Sequence, residues 1–159
     1  MTNVLWIEDG AEFELASLAA PVFVDGQYDL YVASNITAGL GQLSKREYRV
    51  VIVDIRLPPG EDLQWTTLYK KAGQQKSAAA LGLKLLKSVL GADAEVKLKT
   101  IPAWLTPDRI GVFTVERFGD LKESLDALDI RFFRQKTADM PPTALLDLIK
   151  QIHTSSDIT

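Results

Sequence analysis

The chain has 159 residues, 47% of them hydrophobic and 25% charged, which is enough for one well-buried domain and too few for two. Lysine and arginine number 18 against 21 acids, a net charge of -3, and this excludes the basic field that direct nucleic-acid or anionic-membrane binding requires. With no cysteine and one histidine, His153, disulfides, thiolate chemistry and histidine triads are excluded too, so a bound metal must be a hard cation held by oxygen.

No basic stretch followed by an apolar run opens the chain, and no apolar run reaches membrane-spanning length, so a cytoplasmic protein is expected. Residues 4–7 form a short run of β-branched and aromatic side chains, the pattern of a buried strand. A helix-prone segment follows over residues 11–20. Residues 28–33 alternate, with Tyr28, Leu30 and Val32 on one face and Asp29, Tyr31 and Ala33 on the other, and their polar admixture predicts an edge strand. Ile36, Leu40 and Leu43 repeat at helical spacing before a second buried strand at residues 50–53.

The next connection is long. Residues 58–108 spend 51 positions on what should be one crossover, and only residues 79–90, closed by Gly91, carry the stripe of a sheet-covering helix. Two insertions flank that helix. The first, residues 61–77, holds Trp65, Tyr69, Lys70, Lys71 and Lys76; either its aromatics extend the third helix, or the segment offers a docking surface to a partner. The second, residues 92–108, holds Trp104 between two prolines. A strand is expected at residues 110–113, a helix on Leu121, Leu125 and Leu128, and a strand at residues 130–133. A last helix carries Leu145, Leu148, Ile149 and Ile152, which leaves one domain over residues 1–153 and a polar tail over 154–159.

Regular alternation of strand and helix calls for right-handed crossovers and a doubly wound α/β fold with a mostly parallel sheet. Ligands of such sheets bind outside the carboxyl ends of the strands. There the sequence places Glu8 and Asp9 after the first strand, Asp54 after the third, Thr114 after the fourth and Lys136 after the fifth. Taken singly, Asp9 reads as a helix cap, and Thr114 and Lys136 read as surface residues. Taken together, three converging carboxylates need a compensating charge, and Mg²⁺ beside the lysine ammonium is the economical answer. Such a site suits phosphoryl oxygens.

The segments Val4-Leu5-Trp6-Ile7-Glu8-Asp9, Val51-Ile52-Val53-Asp54-Ile55-Arg56-Leu57-Pro58, Phe113-Thr114 and Phe133-Arg134-Gln135-Lys136 together resemble the signature set of the response-regulator receiver domain. The intervals from Asp9 to Asp54 and from Thr114 to Lys136, 45 and 22 residues, are similar to the family's; that from Asp54 to Thr114, 60 residues, is about twice the usual one. The resemblance implies a flavodoxin-like receiver fold, a five-stranded parallel sheet in the order 2-1-3-4-5. It implies that Asp54 is the phosphoacceptor, taking its group from a phosphohistidine on a partner kinase or phosphotransfer protein, or from a small phosphodonor. It also implies Mg²⁺ bound by Asp9 and Asp54, by Glu8 through water and by the backbone carbonyl of Arg56. Lys136 and Thr114 would contact the attached group, Phe133 would serve as the aromatic switch, and a downstream protein partner would read the result.

One departure concerns the lysine loop, where Thr137 stands in place of the family's usual cis proline. A cis bond before a non-proline residue costs about 3 kcal/mol, so this loop is expected to be set differently. The leading reading is a stand-alone receiver, not a conventional enzyme, because few residues follow the last helix. The alternatives are a receiver-like adaptor that is never phosphorylated and acts only by docking, and a Mg²⁺-dependent phosphatase of the haloacid dehalogenase type. The latter family needs a second acid two residues after its aspartate, where this chain has Arg56. No Gly-rich phosphate loop ending in Lys-Ser/Thr is present either.

Overall fold

Five runs rich in β-branched and aromatic residues lie side by side, and the segments of helical period between them cover both faces. In the computed structural model, which describes residues 1–156, the strands are β1 (Thr2–Ile7), β2 (Tyr28–Ala33), β3 (Val50–Val53), β4 (Ile110–Thr114) and β5 (Phe132–Gln135). All four pairings are parallel and the order is β2-β1-β3-β4-β5, the doubly wound sheet expected above, with β2 on an edge. The helices are α1 (Leu15–Asp25), α2 (Ile36–Lys45), α3 (Leu63–Lys71), α4 (Lys76–Ala79), α5 (Leu81–Leu90), α6 (Phe118–Ala127) and α7 (Ala144–Ser156). Side chains alternate across a strand, so each central strand feeds two cores. Val4, Trp6, Val50, Ile52 and Phe113 pack under α1 and α7; Leu5, Ile7, Val51, Val53 and Val112 pack under α2, α5 and α6. The single histidine is structural in position: the Tyr28 hydroxyl and His153 Nδ1 share a hydrogen bond of 3.0 Å, and Arg49 donates to the His153 carbonyl at 2.8 Å.

Three elements lie differently from expectation, each for a local reason. The helix expected at residues 11–20 starts only at Leu15, because Glu8 accepts from the Gly10 amide at 3.1 Å and Asp9 from the Ala11 amide at 3.2 Å, which turns the chain first. The strand expected at residues 130–133 runs instead over Phe132–Gln135. Ile130 is buried by its place in the close of α6, where its amide donates to the Leu125 carbonyl at 3.0 Å and Asp129 takes the left-handed conformation, φ 59°. The last helix continues to Ser156, so Thr154 and Ser155 are helical; residues 157–159 of the expected tail lie outside the described residues.

The insertions are folded. The first neither extends α5 nor stands off as a loop: it forms α3 and α4, and Trp65 is only 1% exposed, inside the core. Asp62 caps α3, accepting from the Gln64 and Trp65 amides at 2.9 and 3.4 Å. Trp65 is therefore closed to a docking partner. In the second insertion Val96 and Leu105 are buried, the Ser88 hydroxyl donates to the Val96 carbonyl at 2.6 Å, and Trp104 lies against Tyr48 with ring centres 6.0 Å apart.

The sheet helix proper begins after Ala80, which adopts φ 45°, so the expected start at residue 79 splits into the short α4 and a separate α5. Gly82 lets α5 settle onto the chain just beyond β3. Its amide donates to the Ile55 carbonyl at 3.0 Å, and a Cβ there would lie 1.9 Å from the Asp54 carbonyl oxygen. Removing the Trp65 side chain should cost about 3–5 kcal/mol, since it deletes a buried indole. Urea unfolding of Trp65→Ala measures this; a loss below about 1 kcal/mol would show that the insertion lies outside the cooperative core.

Candidate functional site

The register brings the strand ends level. Ile7 lies opposite Ala33 and Val53, Val53 opposite Val112, and Thr114 opposite Gln135. The ladder then carries one residue further. The Glu8 amide donates to the Ala33 carbonyl at 2.8 Å, the Asp54 amide to Ile7 at 3.1 Å and the Lys136 amide to Thr114 at 2.7 Å. Glu8, Asp54 and Lys136 are thereby fixed by backbone bonds at the sheet's carboxyl edge, and Thr114 by β4 itself. All four are buried, at 2%, 0%, 3% and 0% exposure.

Lys136 is the centre of this group. Its Nζ pairs with Glu8 Oε1, donates to Asp54 Oδ2 at 3.1 Å, lies 4.0 Å from Glu12 Oε2 and sits 5.5 Å from the centre of the Phe113 ring. Burial works against its charge, but Asp54 and Glu8 outweigh burial and hold its pKa above the ordinary lysine value. The carboxylates are less well served. Burial, reinforced by the charge on Asp54, pushes the Glu8 carboxyl up from 4.5 to about 7 in spite of Lys136. One ammonium neutralises one buried carboxylate; the second recovers neutrality most cheaply by holding a proton.

Asp9 lies further out. Its Oδ1 accepts from the Ala11 amide, and its Oδ2 accepts from Lys76 Nζ of α4 at 2.5 Å. The Arg56 amide donates to Asp54 Oδ1 at 3.3 Å, while the Arg56 guanidinium turns away to Glu116 Oε1 at 2.7 Å. Glu116 Oε1 also accepts from the Ser77 hydroxyl at 2.8 Å, and the Glu116 amide donates to Thr114 Oγ1 at 3.3 Å. The structure thus gathers Glu8, Asp9, Asp54, Thr114 and Lys136, with the backbone of Arg56 beside them. Sequence reasoning missed Glu12, Lys76, Ser77 and Glu116. Glu12, four residues beyond Glu8, and Glu116, two beyond Thr114, were findable as acids near strand ends; nothing in the pattern of residues 61–77 marked Lys76 as reaching Asp9.

Glu8, Asp9, Glu12 and Asp54 each offer a carboxylate oxygen, and these atoms lie within 4.8 Å of one another. Glu12 Oε2 is buried with no hydrogen-bond partner, and burial together with the charge on Asp54 raises the Glu8 pKa. An all-oxygen donor set in which four carboxylates face two ammonium groups fits a hard divalent cation such as Mg²⁺.

The parallel five-stranded sheet in the order 2-1-3-4-5, flanked by helices, is the fold of response-regulator receiver domains. Among solved structures, the chain is similar to a CheY-like response regulator receiver domain protein from Methanospirillum hungatei, at 16% identity and TM-score 0.66 over 99% of this chain and 98% of that one. It is similar also to CheY4, a chemotaxis response regulator of Vibrio cholerae, at 18% identity and TM-score 0.58 over 96% and 98% of the two chains. The BeF3-activated N-terminal receiver domain of Klebsiella pneumoniae RstA matches at 19% identity and TM-score 0.59, over 96% and 98%. No protein-family model matches the sequence, and no curated protein does. Among the described residues no helix is long and apolar enough to cross a membrane.

Because the Glu8 pKa is raised on folding, the folded protein binds more protons than the unfolded chain between pH 4.5 and about 7. Stability from this residue is complete below that window and falls as pH rises through it, by on the order of 3 kcal/mol. Urea unfolding in chelator at pH 4.5 and pH 7.5 should therefore show a fall in wild type, relative to Glu8→Gln, across this interval. Parallel pH profiles for the two proteins would show that Glu8 carries no such proton.

Proposed function

We propose that the protein is a phosphoacceptor receiver, in which Asp54 takes a phosphoryl group from a phosphohistidine on a kinase or phosphotransfer protein, or from a small phosphodonor. The observation that carries this reading is the buried Asp54 carboxylate, 3.1 Å from Lys136 Nζ and within one cluster with Glu8, Asp9 and Glu12. In this reading a carboxylate oxygen of Asp54 bonds to phosphorus as the bond to the donor's leaving atom breaks. Phosphoryl transfer needs in-line positioning and charge neutralisation more than covalent help, and this site is built for both. Lys136 supplies a buried ammonium to the phosphoryl oxygens. Thr114 Oγ1 accepts from the Glu116 amide, so its O–H can serve as donor to the attached group. Glu8, Asp9 and Asp54, with the backbone at Arg56, would hold Mg²⁺, which when bound offsets the charge on the transferring oxygens.

The output in this reading is a population shift. Charge added at Asp54 draws Lys136 and the Thr114 hydroxyl, and the loop after β4 follows. Phe133 is partly buried against the exposed Phe118, ring centres 5.1 Å apart, and in this reading its further burial would act as an aromatic switch. A downstream protein partner would read that surface. The group stays on Asp54 until hydrolysis, which makes the protein a phosphoacceptor rather than a conventional enzyme.

Incubation with acetyl phosphate and Mg²⁺ should add one phosphoryl group by intact-mass spectrometry, with Asp54→Asn and excess chelator each abolishing it. A mass increase that survives in Asp54→Asn would place the acceptor elsewhere, and none in wild type would favour an adaptor that works by docking alone.

A further inference from the structure

Four of this chain's carboxylates face two of its ammonium groups at the carboxyl edge, and the second ammonium comes from the first insertion. Lys76 opens α4, and its Nζ lies 2.5 Å from Asp9 Oδ2. The hydrogen bond to Asp9 raises the Lys76 pKa above its ordinary value, so the charge is firmly held. Asp9 Oδ1 already accepts the Ala11 amide, so both Asp9 oxygens are engaged. Mg²⁺ bound to an Asp9 oxygen at about 2.1 Å would stand only a few ångströms from the Lys76 ammonium, and like charges so close repel strongly, so the two cations compete for Asp9.

The segment bearing Lys76 carries backbone strain at both ends. It is bounded by two residues in the left-handed region, Gln74 at φ 58° and Ala80 at φ 45°. Neither is glycine, so each holds a conformation that costs about 1–2 kcal/mol and is relieved by a turn of the backbone. Over the site α4 is held by polar contacts, Lys76 to Asp9 and the Ser77 hydroxyl to Glu116 at 2.8 Å, with Ala79 buried at its far end.

We propose that Lys76 is an internal counter-ion that occupies Asp9 in competition with the divalent cation, so that the cation binds only as α4 releases the site. Lys76 thereby sets the metal affinity of the receiver. The inference rests on the metal-binding reading of the acidic cluster given above. Competition makes the lysine stabilise one state only, which a merely structural lysine does not do.

Calorimetric titration of MgCl₂ into the full chain tests this with wild type, Lys76→Met, Lys76→Gln and Lys76→Arg. The neutral variants should bind Mg²⁺ about tenfold more tightly, and arginine should restore weak binding. The same neutral substitutions should lower the melting temperature in chelator but not in saturating Mg²⁺. In wild type itself, saturating Mg²⁺ should increase labelling of the Lys76 amine by an acylating reagent, read by peptide mass spectrometry. Equal Mg²⁺ affinity in wild type and the neutral variants, or Lys76 labelling indifferent to Mg²⁺, overturns the competition and leaves the proposed receiver function standing. Absence of Mg²⁺ binding in every variant overturns both.

Discussion

A lysine ammonium buried between two buried carboxylates is the interaction on which the carboxyl edge depends. Moving such ions out of water costs several kcal/mol each, and mutual attraction repays the loss only when geometry is good and every remaining hydrogen-bonding position is used. Lys136 reaches Glu8 and Asp54 together and rests near the face of Phe113, yet the group still carries one negative charge too many. A proton on Glu8, the ammonium of Lys76 on Asp9 and a hard cation are three answers to the same deficit. A phosphoacceptor gains from this condition, because a site that is short of positive charge has affinity in reserve for the cation that phosphoryl chemistry needs.

The fold meets the constraint with backbone rather than with long side chains. Parallel pairing aligns the ends of β1, β3 and β4, and amide bonds one residue beyond the strands fix Glu8, Asp54 and Lys136. Gly82 then brings α5 so close to the Asp54 carbonyl that a single methyl group would not fit. The loop after Lys136 shows the same economy. The described residues contain no cis peptide bond, and Thr137 instead accepts the Met140 amide at 3.3 Å through its carbonyl and donates to Asp139 at 2.7 Å through its hydroxyl. Lys136 still reaches both carboxylates, because the strand ladder places it before the loop begins.

What was legible in the sequence was what short-range pattern controls. The strands at residues 28–33 and 50–53 stand where their β-branched runs lie, and Asp54, Thr114 and Lys136 follow from strand ends alone. Pattern failed where tertiary contacts override it. Ile130 reads as strand but is buried by the cap of α6, and residues 11–14 read as helix but are turned by the Glu8 and Asp9 carboxylates. The first insertion was legible in part: Trp65 and Tyr69, four apart, have helical spacing, and with Leu68 and Ala72 they form the face of α3 that packs on the core, but nothing in that spacing marked a helix separate from α5.

Glu116 joins the parts of the site that the sequence keeps apart. Its Oε1 accepts from Arg56, just beyond Asp54, and from Ser77 in α4, while its amide holds the hydroxyl oxygen of Thr114. Arg56 and Glu116 are 60 residues apart and Ser77 and Glu116 are 39 apart, so these bonds exist only because β3 and β4 are adjacent in the sheet. A Thr114 hydroxyl that turns toward a modified Asp54 gives up the Glu116 amide, and the loop that then moves carries the carboxylate anchoring Ser77. Release of that anchor leaves Lys76 as the remaining side-chain contact from the start of α4 to the site, while Ala79 stays buried at its far end. In the proposed receiver, the rearrangement of Thr114 and the departure of Lys76 from Asp9 therefore pull on one side chain, which gives the inserted helix a physical connection to the state of the phosphoacceptor.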